Sequence, residues 1–199
     1  RRFLEGAAQA NTKVINCNNI ANDVGADNKT VENYFTILED TLVGYMLQPF
    51  HHSFRKRLSQ KPKFYFIDIG LTRALANLLD VIPKPGTHYY GEVFEQFIIL
   101  ECVKLNSYYE LNYRFSYLAT KDGAEVDLVV ERPNKPLLLI EIKSSTKVTE
   151  KHLRHLKQFH KELPESEAIV LCQERQARRS DGIRILPWKE GIIEYLTKK

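Results

Sequence analysis

Apolar residues crowd the segment from Tyr89 to Leu105 on nearly every side, which predicts a long helix buried all round. A strand is expected near Leu111–Ala119, then a Lys121-Asp122-Gly123 turn and a second strand over Glu125–Glu131. Pro133-Asn134-Lys135-Pro136 marks the next turn, and the apolar run starting at Leu137 predicts a third strand over Leu137–Lys143. Leu153, Leu156 and Phe159 give the segment of about Thr149–Leu163 the stripe of an amphipathic helix, and Ala168–Cys172 reads as a last core strand. The predicted order is αβββαβ, a mixed α/β (α+β) fold.

The N-terminal part follows a different pattern. Ile20 to Val31 predicts a short helix, a turn containing Gly25 and a second helix continuing through Tyr34, Leu38 and Leu42, the spacing of a helix-turn-helix. Thr30, with Asp27 or Asn28, supplies N-cap chemistry for the second helix. Between Phe50 and Ile67 the residues Arg55, Lys56, Arg57, Lys61 and Lys63 occur without an acidic residue, and Lys63–Ile67 reads as a strand. Together these segments predict a winged helix-turn-helix with a basic wing, a surface that invites DNA phosphate. The alternative is a solvated hairpin loop in a packing domain. Lys29, Glu32 and Asn33 make an undistinguished reading surface, so sequence-specific recognition is not expected. The pattern changes near Pro83-Lys84-Pro85-Gly86, which predicts two domains, 1–86 and 87–199.

Candidate chemistry concentrates at the end of the third strand. Alternate strand residues share a face, so Glu141 and Lys143 project together while Ile140 and Ile142 point the other way. Asp127 stands on the preceding strand. Two carboxylates on neighbouring strands suit Mg²⁺ or Mn²⁺, and a lysine beside them positions water and offsets developing charge. The competing reading is a salt bridge at a sheet edge. Glu95, Ile98, Ile99 and Cys102 stand at i, i+3, i+4 and i+7, placing Glu95 on an apolar stripe, where a carboxylate needs a partner or a metal. A basic partner such as Lys143 or Lys104 would serve equally. Glu125 shares a strand face with Asp127 and is a further ligand or supporting group.

The αβββαβ order with Asp127 and Glu141-Ile142-Lys143 resembles the core of the PD-(D/E)XK nuclease superfamily, from Tyr89 to Cys172. Val126 stands where the superfamily has its proline. The resemblance implies a restriction-endonuclease-like domain in which Asp127, Glu141 and Glu95 bind metal and Lys143 completes the catalytic set. Ile20–Tyr45, Lys63 to Leu71, Gly91-Glu92-Val93-Phe94-Glu95, Glu125-Val126-Asp127 and Glu141 to Ser145 together resemble the C-terminal part of prokaryotic AAA-type ATPases carrying a DUF4143 domain. That family implies an upstream ATPase module as partner, with ATP bound only there. The chain has no G-x-x-x-x-G-K-[ST] and starts at Arg1 in what reads as the tail of a helix, so a fragment lacking its motor is expected. The two functions left open are a metal-dependent DNA nuclease and a catalytically silent DNA- or protein-interaction module serving the ATPase.

Charge changes this picture little. Residues 1–86 hold 11 Lys and Arg against 8 Asp and Glu, and 87–199 hold 18 against 17, giving +3 and +1 of the chain's +4. Near balance in the second part suits metal binding better than broad anion capture. Cys17, Cys102 and Cys172 lack zinc-ligand spacing and predict reduced thiols in a cytoplasmic protein. No run of about 18 apolar residues occurs, so no membrane association is expected. His51, His52, His152, His155 and His160 tempt a metal reading; His152 and His155 stand at i, i+3, but no acidic residue joins those two at ligand spacing. The helix carrying Lys151, Arg154 and Lys157, with Lys147 before it, reads as a solvated face or a surface for a phosphate backbone.

Overall fold

The computed structural model describes residues 2–51, 61–120 and 123–197. It divides into two compact units, Arg1–Ile82 and Pro83–Lys199, together a mixed α/β architecture.

The first unit runs α1 (Arg2–Gln9), α2 (Cys17–Val24), α3 (Asn28–Asp40), β1 (Gly44–Pro49), β2 (Lys63–Phe66) and α4 (Ile69–Leu75). Helix α2 stops at Gly25, whose φ of 71° is the left-handed conformation that closes a helix C-terminus. Two residues later Asp27 starts α3, accepting from the Thr30 N–H at 2.9 Å and the Thr30 hydroxyl at 2.6 Å. Val31, Phe35 and Leu38 turn one face of α3 inward. Phe35 meets Phe64, and Phe64 meets Phe66, edge-on at 4.9 Å between centroids. Strands β1 and β2 form an antiparallel hairpin registered from Gly44↔Phe66 to Leu47↔Lys63. A Cβ on Gly44 would lie 2.3 Å from Phe64 Cε2, so only glycine lets the hairpin close over that ring.

The second unit begins with α5 (His88–Tyr108), a helix capped by the Thr87 hydroxyl, which accepts from the Tyr90 N–H at 3.2 Å. Then follow β3 (Arg114–Ala119), β4 (Glu125–Glu131), β5 (Leu138–Lys143), α6 (Glu150–Glu162) and β6 (Glu167–Cys172). This is the αβββαβ order, extended by β7 (Arg178–Ser180), β8 (Ile183–Pro187) and α7 (Trp188–Leu196). Within this unit the strands lie side by side as β3-β4-β5-β6-β8-β7. The first three pair antiparallel, β5-β6 and β6-β8 pair parallel, and β7-β8 is antiparallel again. Helix α6 packs across β4, β5 and β6, while α5 and α7 contact each other and the sheet. Every residue of β5 from Leu138 to Ile142 is buried, as a strand covered on both faces requires. Polar groups at its end therefore sit in the interior.

Candidate active site

The β4–β5 ladder is registered Val130↔Leu138, Val129↔Leu139 and Leu128↔Ile140. One further step sets Asp127 opposite Glu141, and residues directly opposite in an antiparallel pair share a face. There the ladder gives way to a side chain: the Ile142 N–H donates to Asp127 Oδ2 at 2.7 Å. On its other edge β5 stays paired with β6 through Glu141↔Val170, Ile142↔Leu171 and Lys143↔Cys172. Asp127 thus satisfies a buried donor that β4 has released, and the opening holds both carboxylates.

Lys143 binds the pair. Its Nζ lies 2.6 Å from Glu141 Oε1 and 3.9 Å from Asp127 Oδ2. Asp127 and Glu141 are buried, whereas the Lys143 side chain keeps 31% of its surface in solvent, so the site opens on the lysine side. Burial, reinforced by the Asp127 charge, pushes the Glu141 carboxyl up to about 8 against the opposing pull of Lys143. Burial alone would lower the Lys143 ammonium, but Asp127, Glu141 and Glu95 together hold it above its ordinary value.

Glu141 Oε2 is buried without a hydrogen-bond partner, and Asp127 Oδ1 takes no part in the contacts above. A buried acceptor of this kind fits a cation. Among the described residues, however, no group of three or more His, Cys, Asp and Glu side chains is arranged to hold a metal ion. The two carboxylates in contact with Lys143 are those of Asp127 and Glu141. Glu95 is half-buried on α5, beside the fully buried stripe of Ile98, Ile99 and Cys102, and bears on the site through the field it exerts at Lys143. Glu125 bears on Glu141 in the same way.

The expected basic wing fares differently. Arg55, Lys56 and Arg57 lie outside the described residues, as does His52. Lys61 is exposed, but Lys63 is 4% exposed. It pairs with Leu47 on one side and bridges Val14 on the other, so backbone flanks it on both edges and it offers no surface for phosphate. His152, weighed as a metal ligand, accepts from the Thr149 N–H at 3.2 Å and helps start α6. All three cysteines are buried and unpaired, and no helix among the described residues is long and apolar enough to cross a membrane.

Comparison with known proteins adds a family. Residues 90–190 match the family described as Domain of unknown function (DUF4143). The chain belongs to the DUF4143 family. Residues 1–81 match a second family, Domain of unknown function (DUF8612). No curated protein matches the chain. Among solved structures it is similar to a chain of the half-complex from a tetradecameric assembly of Thermococcus gammatolerans McrB AAA+ hexamers with bound McrC. Identity there is 13%, coverage is 92% of this chain and 45% of that one, and the TM-score is 0.36.

The DUF4143 segment also contains a polar network that its sequence did not reveal. Gln173, directly after β6, donates from Nε2 to Tyr90 Oη at 2.9 Å and to the Ser144 carbonyl at 3.1 Å, and its backbone N–H donates to the Ser145 carbonyl at 3.1 Å. It thereby ties the first turn of α5 to the residues that follow Lys143. The signal lay in the parallel pairing of β5 with β6, which sets Gln173 beside Ser144, and strand adjacency is invisible to periodicity. Beside this network the loops after β5 and β6 line a cavity of about 640 Å³, with Thr146, Gln173, Arg175 and Gln176 on its wall.

Proposed function

We propose that this DUF4143 chain is a DNA-acting, PD-(D/E)XK nuclease-like module, joined to a winged helix-turn-helix, that serves an AAA-type ATPase. One observation carries the reading. Asp127 and Glu141 share a face at the point where the β4–β5 ladder ends, with the Lys143 ammonium 2.6 Å from one and 3.9 Å from the other. Asp127 and Glu141 would hold Mg²⁺ or Mn²⁺, which when bound supplies Lewis-acid polarisation of a phosphoryl oxygen and an acidified water. Lys143 orients the attacking water and offsets charge developing on the phosphate. Gln173 and Tyr90 fix the backbone just beyond Lys143 and so hold that ammonium in place. The two-helix arrangement of α2 and α3 followed by the β1–β2 hairpin supports the winged-helix reading of the first unit. The ATPase partner rests on the motif resemblance across Ile20–Tyr45, Lys63–Leu71 and the DUF4143 segment.

A second reading has an observation of its own. Lys143 already occupies the space between the two carboxylates, as it would in a self-sufficient buried polar network, and such a module binds DNA or protein without cutting. Lys143→Ala separates the two, because it removes no carboxylate. A nuclease keeps divalent-metal binding, seen as a metal-dependent rise in melting temperature, and loses cleavage by about 10²-fold or more. Wild-type chain that leaves single- and double-stranded DNA intact with Mg²⁺ and Mn²⁺, also when the full-length ATPase and ATP are supplied, refutes the nuclease reading and leaves the silent module.

A further inference from the structure

Helix α6 uses its two faces for different purposes. Leu153, Leu156 and Phe159 are buried as the helix packs across β4, β5 and β6. On the outer side Lys151, Arg154, Gln158 and Lys161 are exposed. At 3.6 residues per turn these four fall within a stripe about 80° wide, and they line a shallow depression along the helix. Glu150 and Glu162 line the same depression, and each carboxylate near the stripe has a partner, a neutral amide in the case of Glu162. Glu150 bonds Lys157 and accepts from the Ser180 hydroxyl at 2.8 Å, Asp181 lies 2.5 Å from Lys157, and Glu162 accepts from Gln158 at 3.2 Å. Lys157 thus gathers two acids to itself, and Lys151, Arg154 and Lys161 make no ion pair among the described residues.

The stripe is also connected to the candidate site. Lys143 closes β5, exposed Lys147 follows in the loop, and α6 starts at Glu150. Lys143 and Lys151 both act on the His152 imidazole, whose pKa burial first and then these two ammonium groups depress. Lys143, Lys147 and Lys151 thus follow one another along the chain from the end of β5 into the first turn of α6. From Lys151 to Lys161 the axis rises about 15 Å, over which one strand of B-DNA presents about four phosphates.

We infer that the outer face of α6 is where duplex DNA lies, with phosphates on Lys151, Arg154 and Lys161 and the backbone leading toward Lys143. The choice of DNA over another polyanion rests on reading Asp127, Glu141 and Lys143 as a phosphodiester site. Cations set on phosphates position the duplex without reading base edges, so binding is independent of sequence. A membrane surface is the wrong partner, because the apolar residues of α6 are spent on the core and none remains to enter lipid.

The test is fluorescence anisotropy of the 199-residue chain with a labelled duplex of about 20 base pairs, in EDTA to prevent cleavage, across about 50 to 200 mM salt. The triple variant Lys151→Gln, Arg154→Gln, Lys161→Gln is expected to bind at least about tenfold more weakly and to lower the slope of log K against log salt by about 2.7, for three lost phosphates. Lys151→Arg with Lys161→Arg keeps wild-type binding and slope, which separates charge from folding. Wild-type affinity and slope in the triple variant overturn the inference, as does a wild-type chain that fails to bind at the lowest salt. Binding to phosphatidylserine vesicles that matches DNA binding and is lost in the triple variant assigns the face to membranes and overturns it too. Binding through this face without any cleavage supports the inference while the nuclease reading fails; cleavage with unchanged KM in the triple variant sinks the inference alone.

Discussion

Asp127 has two duties that substitution separates. It accepts the Ile142 N–H at 2.7 Å, and it adds a negative charge next to buried Glu141, raising that group's pKa. Asp127→Ala removes both. Asp127→Asn removes the charge but leaves an amide oxygen able to take the same N–H. Both variants lack the carboxylate, so relief of the repulsion with Glu141 cancels between them, and their difference isolates the hydrogen bond. A buried donor left without its acceptor costs about 1–3 kcal/mol. With a urea dependence of roughly 2 kcal/mol per molar, Asp127→Ala should unfold about 0.5–1.5 M earlier than Asp127→Asn. The measurement is urea denaturation of both variants in EDTA, so that no metal contributes. Midpoints that coincide would refute the claim that Asp127 replaces a ladder bond, and with it the explanation of why the site opens between β4 and β5.

Two other outcomes follow from local geometry. Gly44→Ala puts a methyl group 2.3 Å from the buried Phe64 ring and is expected to cost the first unit about 1–3 kcal/mol of stability by overpacking; an unchanged urea midpoint contradicts this packing. Glu174 is held below its ordinary pKa of 4.5, chiefly by Arg178 and also by the Val148 N–H it accepts at 2.6 Å. A depressed carboxylate contributes stability that is complete above its unfolded pKa and is lost as pH falls through the folded value. Stability should therefore decline less steeply below about pH 4.5 in Glu174→Gln than in wild type; parallel pH profiles would remove Glu174 from the acid response.

The legible parts of this chain were those fixed by local pattern. The Leu153, Leu156 and Phe159 stripe located α6, the apolar run from Leu137 located β5, and strand alternation put Glu141 and Lys143 on one face, where they meet at 2.6 Å. What stayed hidden depends on neighbours. Helix α7 carries Gly191 near its middle, which argues against a helix by propensity; yet a Cβ there would lie 2.3 Å from Leu171 Cδ2, so glycine is what lets α7 settle on β6. Strand β1, bounded by Gly44 and Pro49, lacks alternation and is a strand because β2 supplies its partner. Lys63 reads as a wing cation by composition and is buried by pairing on both edges. Gln173 gained its place through the β5–β6 register.

The same dependence on surroundings decides what the site can be. Asp127, Glu141 and Lys143 carry a formal −1 among them, and Glu95 and Glu125 add to the field. Net charge in an opening this buried must be compensated. A proton retained on Glu141 does so with no ligand, which is the state that suits a silent network. A divalent cation with one phosphodiester contributes +1 and brings the three groups to zero, which is the state that suits phosphodiester hydrolysis. The solvent-facing Lys143 belongs to both states, and its place between the carboxylates is what the silent network has in its favour. The two states differ at the buried Glu141 Oε2, which has no hydrogen-bond partner among the described residues: it carries the retained proton in the first and faces the cation in the second.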